Sequence, residues 1–168
     1  MQIAELYDTV KTIRRELHQI PEIGFDLPLT SEYVRQKLVA FGYEPISTAE
    51  TGWVAVLEGK SPAAVAFRAD MDALEVTEET GADFASLHPG KMHACGHDAH
   101  AASLLGACRI LVNHKDDIYG KIVINFQQAE EIGYGARQFI DRGLVKNVDR
   151  TFGMHVASAI ETGYISLT

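Results

Sequence analysis

Met92-His93-Ala94-Cys95-Gly96-His97-Asp98-Ala99-His100 is the stretch from which the fold is worked out. These nine residues carry three imidazoles, one thiol and one carboxylate, the side chains that bind a divalent metal or move a proton near neutral pH. Ala101, Leu104, Leu105, Cys108, Leu111 and Val112 follow at helical spacing. The ligand-type residues therefore occupy a loop and the first turn of a helix with one buried face. The positive end of that helix would favour a thiolate at Cys95. Gly96, without a Cβ, permits a tight turn and a close approach of backbone to an ion.

Upstream, residues 43–47, 53–58 and 63–67 read as strands, punctuated by Gly52 and by Gly59-Lys60-Ser61-Pro62. The third runs into Arg68-Ala69-Asp70-Met71-Asp72. Polar residues just past the carboxyl end of an apolar strand sit where α/β sheets place their sites, although a surface ion-pair cluster explains these three charges as well. Two helices come first. One covers residues 3–20, with Ile3, Leu6, Val10, Ile13 and Leu17 inward and Pro21 as its stop; Arg14, Arg15 and His18 read as its solvated face. The other runs from a cap at Thr30 or Ser31 to Phe41. Residues 75–91 look like an excursion over the surface, with His88 exposed.

Downstream, residues 121–126 form an apolar, central strand that runs into Gln127-Gln128-Ala129-Glu130-Glu131. Gly133 and Gly135 open a helix to about Ile140. Residues 148–156 read as a strand with His155 near its end, and residues 163–168 alternate like another. Helices interleaved with strands imply an α/β layered sheet, and the early paired strands make that sheet mixed.

Composition narrows the function. The chain has 168 residues, 46% of them hydrophobic, and a formal net charge of -8, which argues against a nucleic-acid or anionic-membrane partner. No apolar run is long enough to span a bilayer. With Cys95 and Cys108 as the only cysteines there is no disulfide framework, and a reduced, cytoplasmic setting is the default.

Four positions have the chemistry of a metal site: Cys95, His97, Glu131 and His155. Ligands gathered from one loop and two strand ends suit a catalytic centre more than a structural one. Adjacent side chains in a regular strand point to opposite faces, so Glu130 and Glu131 serve one site only if the strand has ended by Gln128 or Ala129. One carboxylate would then bind metal while the other acts as base. A solvated Glu-Glu pair at a helix N-terminus is the alternative. His93 and His100 read either as orienting partners of ligands or as polar residues at a helix start. Asp98 reads either as a helix cap or as the holder of a ligand imidazole.

Phe67-Arg68-Ala69-Asp70-Met71-Asp72-Ala73-Leu74, the stretch from Lys91 to His100, and Phe126-Gln127-Gln128-Ala129-Glu130-Glu131 resemble the M20 metallopeptidase family. The match is to its amidohydrolase branch of hippurate hydrolases, N-acyl-L-amino acid amidohydrolases and auxin-conjugate hydrolases. Arg14-Arg15-Glu16-Leu17-His18 with Pro21-Glu22 looks like the family's opening. The resemblance implies a three-layer α/β/α, zinc-exopeptidase-like fold. It implies a cytoplasmic two-metal hydrolase, using Zn, Mn, Co or Ni, that cleaves the amide bond of small N-acyl amino acids or short peptides. By position Cys95, His97, Glu131 and His155 would be metal ligands and Glu130 the general base. Asp70 and Asp98 would stand behind the ligands; Arg68 occupies a position where other members of the family have a histidine ligand. Gln128 stands where this branch commonly has proline, a change expected to loosen the loop carrying Glu130. Family members continue well past this length, so residues 1–168 are expected to be one incomplete catalytic domain. It would lack the lid or dimerisation domain and a final ligand histidine, so a non-catalytic metal-binding fragment is the alternative reading, and the sheet cut at Thr168 would self-associate. A thiol hydrolase built on Cys95 and His97 is the weakest alternative.

Overall fold

Helix α1 (Ile3–His18) turns Ile13 and Leu17 into the core, with Val10 packed beside them. Pro21, which cannot continue a helix, comes three residues after His18. The computed structural model describes residues 3–48 and 50–167; the side chain of Ile3 and the whole of Thr168, both part of sequence expectations, lie outside the described residues.

Helix α2 (Pro28–Ala40) starts before the expected cap, with proline in its first turn. Thr30 and Ser31 are buried inside the helix rather than ahead of it. The orphan N–H groups of Leu29 and Thr30 donate instead to the carboxylate of Glu22, at 3.2 and 2.8 Å. A buried acid in the preceding loop thus does the work of a local cap, and its charge suits the positive helix end.

Strands β1 (Ile46–Thr48), β2 (Gly52–Leu57), β3 (Ala64–Asp70), β4 (Lys121–Gln127) and β5 (Arg150–Gly153) form one sheet in the order β1-β2-β4-β3-β5. β1 with β2 and β2 with β4 are antiparallel; β3 is parallel to β4 on one side and to β5 on the other. The sheet is mixed, and β4, whose apolar run asked for cover on both faces, lies in the middle. Helix α3 (His97–Asn113) connects β3 to β4 by way of the irregular residues 71–96, and α4 (Gly135–Asp141) lies between β4 and β5.

Alternation along the strands fills two cores. Ala55, Ala69, Ile124 and Phe126 pack with Leu17, Val34, Leu38, Ala101, Leu105 and Cys108 on the face covered by α1, α2 and α3. Val54, Ala66 and Val123 pack with Phe139 of α4 and with Leu144, Val145 and Val148 on the other. These are the three layers of an α/β/α fold. No helix among the described residues is long and apolar enough to cross a membrane.

Two strand expectations are corrected. The strand expected over 148–156 is confined to β5, because its pairing with β3 ends at Arg68 opposite Gly153. Residues 163–167 are not a strand: they pair with no neighbour among the described residues, and Ile165 and Leu167 are 88% and 92% exposed. Alternation alone does not make a strand without a sheet edge to receive it. The excursion at 75–91 is irregular, as expected, but it is tied down. Leu87 N–H donates to Gln19 O, and His88, half-buried rather than exposed, bonds through Nδ1 to Pro21 O at 2.9 Å.

Leu105 is fully buried between α3 and the sheet. Leu105→Ala should lower the unfolding free energy by about 2–5 kcal/mol in a urea titration, with the far-UV spectrum of the folded state unchanged.

Candidate metal centre

Three parallel strands end together, and their ends carry the chemistry. The register sets Asp70 of β3 opposite Gln127 of β4, and Arg68 of β3 opposite Gly153 of β5. Asp72, Glu130, Glu131 and His155 therefore emerge at one rim, where the N-terminus of α3 delivers Cys95 and His97. Gly96 holds φ +87, and a Cβ there would stand 2.3 Å from Val156 Cγ2. The close approach that needs a glycine is thus to the side chain beside His155.

The condition set for Glu130 and Glu131 is met. β4 ends at Gln127, and Ala129 takes the left-handed φ of +54. The turn that follows puts both carboxylates on the same side: Glu130 Oε2 and Glu131 Oε1 lie 3.7 and 3.8 Å from Nε2 of His97. Neither belongs to the first turn of α4, which starts at Gly135. A Cβ at Gly135 would lie 1.7 Å from Gln128 O, so the return of the chain after this turn admits only glycine. Gln128 does not hang loose: its side chain is buried and donates through Nε2 to Gln138 of α4 at 2.5 Å.

Ligand-type atoms of Cys95, His97 and His155 lie within 4.8 Å of one another, as do those of His97, Glu130 and Glu131. His97 is common to both groups and is fully buried. Its Nδ1 lies 2.8 Å from Asp72 O, a carbonyl that only accepts, so Nδ1 carries a proton and Nε2 is the nitrogen turned to the two glutamates. His155 repeats the pattern, with Nδ1 on Val156 O at 2.6 Å and Nε2 at 3.4 Å from Cys95 Sγ. His97 Nε2 and Glu131 Oε1 are both buried without a hydrogen-bond partner among the described residues. A lone pair facing two carboxylates across less than 4 Å is stable when a cation stands between them. The residues present fit a divalent metal.

The electrostatics agree. Burial pushes the Cys95 thiol up to about 11, with the hydrogen bond to Glu131 and the charges of Glu131, Glu130 and Asp70 acting the same way. Without a cation, burial and then the acids around Cys95 outweigh the helix end that the sequence expected to favour its thiolate. Burial also works against a charge on His97. The hydrogen bond to Asp72 and the charge of Asp70 outweigh it, so the imidazole is more basic than usual.

The surrounding residues divide differently from the sequence expectation. Arg68, Asp70 and Asp72 are not a surface ion-pair cluster. Asp72 is fully buried; Asp70 is largely so, and its Oδ1 accepts from Arg68 Nε and Nη2, each at 2.9 Å. The carboxylate oxygens of Asp72 each accept one backbone amide, those of Glu130 and Glu131, at 3.1 Å. Its spacing two residues after Asp70 at a strand end was the only sequence signal for it.

Asp98 does not hold a ligand imidazole: its Oδ2 accepts from His18 Nδ1 at 2.6 Å and from Arg14 Nε at 2.8 Å. His18, read as part of a solvated face, is buried, and its Nε2 lies 3.3 Å from Glu78 of the excursion. His100 accepts the Val156 N–H through Nε2 at 3.2 Å and so supports the segment beside His155. Burial, then the nearby His97 and His155, holds His100 down to about 4, which keeps it neutral. Both ring nitrogens of His93 are buried without a hydrogen-bond partner among the described residues, and burial lowers its pKa to about 4.

A family model described as peptidase family M20/M25/M40 matches residues 66–167. The N-acyl-L-amino acid amidohydrolase of Geobacillus stearothermophilus is 43% identical over 173 residues, covering 99% of this chain and 47% of that protein. The Arabidopsis thaliana protein IAA-amino acid hydrolase ILR1-like 4 is 41% identical over 166 residues, covering 96% of this chain and 37% of that protein. The Bacillus subtilis protein YXEP, a dinuclear metal binding peptidase of the M20 family, superposes with a TM-score of 0.89 at 35% identity, over 94% of this chain and 45% of that one. The chain thus spans less than half the length of each of these proteins.

The His18–Asp98 pair gives a pH signature. The hydrogen bond to Asp98 outweighs burial and raises the pKa of His18 above 6.5. Burial raises Asp98, but the hydrogen bond from His18 and the charges of His93, Arg14 and His18 bring it below 3.8. The His18 contribution to stability is then full below 6.5 and is lost as pH rises through the raised value; that of Asp98 is full above 3.8 and is lost as pH falls. Relative to His18→Gln, the unmodified chain should lose unfolding free energy in denaturant titrations as the pH rises above 6.5 and through the raised value of His18. Parallel curves would remove the coupling.

Proposed function

We propose, for a chain that belongs to peptidase family M20/M25/M40, that Cys95, His97, Glu131 and His155 hold two divalent metal ions. With them, Glu130 serves as general base in hydrolysing the amide bond of an N-acyl amino acid or short peptide. The observation that carries this reading is the buried Nε2 of His97, which has no hydrogen-bond partner among the described residues and faces Glu130 and Glu131 beside Cys95 and His155. The names of the relatives, an N-acyl-L-amino acid amidohydrolase and an IAA-amino acid hydrolase, support the substrate class.

Bound metal supplies the positive charge that polarises the substrate carbonyl and acidifies water near neutral pH. The two glutamates are suited to different tasks. Glu131 is 19% exposed with Oε1 buried, the environment of a ligand, whereas Glu130 is 38% exposed and open to solvent. Glu130 can accept a proton from the attacking water and pass it to the leaving amine. His97 and His155 each spend Nδ1–H on a backbone carbonyl, which leaves Nε2 as the donor of both. Thiolate, imidazole and carboxylate together suit Zn²⁺, with Mn²⁺, Co²⁺ or Ni²⁺ also accommodated. Two free cysteines fit a reducing, cytoplasmic setting.

A thiol hydrolase is the second reading, because Cys95 Sγ meets an imidazole, though that of His155 and not of His97. Burial and the neighbouring acids, by pushing the thiol up to about 11, work against a thiolate nucleophile.

Metal content separates the readings. The purified chain should take up Zn²⁺ or Mn²⁺, and Cys95→Ser and His155→Ala should each lower the amount retained after dialysis. Glu130→Gln should keep its metal, and in a preparation that turns over N-acetyl amino acids it should lower kcat by about 10²–10⁴-fold. No metal uptake by the unmodified chain, or normal turnover by Glu130→Gln, would overturn the assignment.

A further inference from the structure

We infer that Asp72 is the positioning residue of this centre: one buried side chain and its own carbonyl fix Glu130, Glu131 and His97 at once. The inference rests on the metal-hydrolase reading for its consequence, but its geometry stands on the apo chain. Oδ1 accepts the N–H of Glu130 and Oδ2 the N–H of Glu131, both at 3.1 Å, while Asp72 O accepts Nδ1–H of His97 at 2.8 Å. Oδ1 also lies 3.5 Å from that Nδ1. The side chain is fully buried, so water does not compete for these bonds.

Asp72 cannot drift. Met71 N–H donates to Gln127 O at 2.9 Å and Ala73 N–H to Glu22 O at 2.7 Å, so the backbone on both sides of it is pinned to a neighbouring segment. The turn it holds is otherwise unfavourable. Ala129 has a positive φ, and two consecutive amides point the same way, a concavity that calls for an anion. Ala129 N–H donates to Gly24 O, and its carbonyl accepts from Gly135, which anchors the start and return of the turn. Between them Gly133 N–H donates to Glu130 O at 2.8 Å, and the Asp72 carboxylate holds the N–H groups of both Glu130 and Glu131. Two oxygens for two N–H groups is the match. Asparagine offers one acceptor and one donor, so one amide would face an NH₂ group and turn away, taking its glutamate with it.

The test uses the whole chain and does not require activity. Asp72→Asn should keep the far-UV spectrum and bind Zn²⁺ about 10–100-fold more weakly in competition with a chelator. In the unmodified, metal-free chain the amide protons of Glu130 and Glu131 should exchange slowly in ¹⁵N–¹H spectra, and in Asp72→Asn at least one should exchange fast and shift upfield. A merely structural role would lower the melting temperature without a change confined to these two amides. Zn²⁺ affinity within twofold of the unmodified chain, or Glu130 and Glu131 amides that exchange like open loop amides in the unmodified chain, would overturn the inference. If Asp72→Asn does not fold, the exchange measurement on the unmodified chain decides. If the unmodified chain binds no Zn²⁺, the metal reading fails, while slow exchange at the two amides still supports the clamp.

Discussion

Two backbone N–H groups meeting the two oxygens of one buried carboxylate set the geometry of the centre. Asp72 and residues 130–131 are neighbours because β3 and β4 run parallel with Asp70 opposite Gln127, so both chains leave the sheet at the same rim. A one-residue slip of that register would put Asp72 beside the wrong amides and reverse the faces of the core residues in β4. The apolar packing of Ile124 and Phe126 against the α3 side therefore also protects the alignment of the centre.

The same rim concentrates negative charge. Asp70, Asp72, Glu130 and Glu131 surround His97 and Cys95, and Arg68 offsets only Asp70 directly. Such an arrangement raises the thiol and the imidazole alike and is relieved by a cation. The Glu130 and Glu131 amides hold the Asp72 carboxylate and Arg68 holds that of Asp70, which keeps the group assembled against its own repulsion.

Behind the centre a second polar chain ties three segments together. Arg14 and His18 of α1 meet Asp98 in the first turn of α3, and His18 reaches Glu78 of the long excursion. His97 and Asp98 are adjacent, so α1 is linked through Asp98 to the backbone that delivers a candidate ligand. Breaking one partner of a buried pair of this kind leaves an uncompensated charge, which is why its worth lies more in order than in net stability.

Much of this was legible in the sequence because it is local. The period of Leu104, Leu105 and Cys108 marks α3, the unbroken run of 121–126 marks a central strand, and the residue types at 95, 97, 130, 131 and 155 mark the candidate centre. What failed was equally physical. Residues 163–167 alternate but pair with no strand among the described residues, and the cap of α2 comes from Glu22, several residues upstream of the amides it holds. Asp72, His18 and Asp98 look like ordinary charges until the fold buries them and supplies distant partners, Glu130 lying 58 residues from Asp72 and Asp98 lying 80 from His18. Periodicity and residue chemistry are properties of neighbours along the chain, and the sequence by itself determined those: the elements, the mixed α/β class and the atoms able to bind a metal. Which carboxylate faces the imidazole and which one holds the turn was decided by the tertiary structure alone, because register and burial join residues that no local pattern connects.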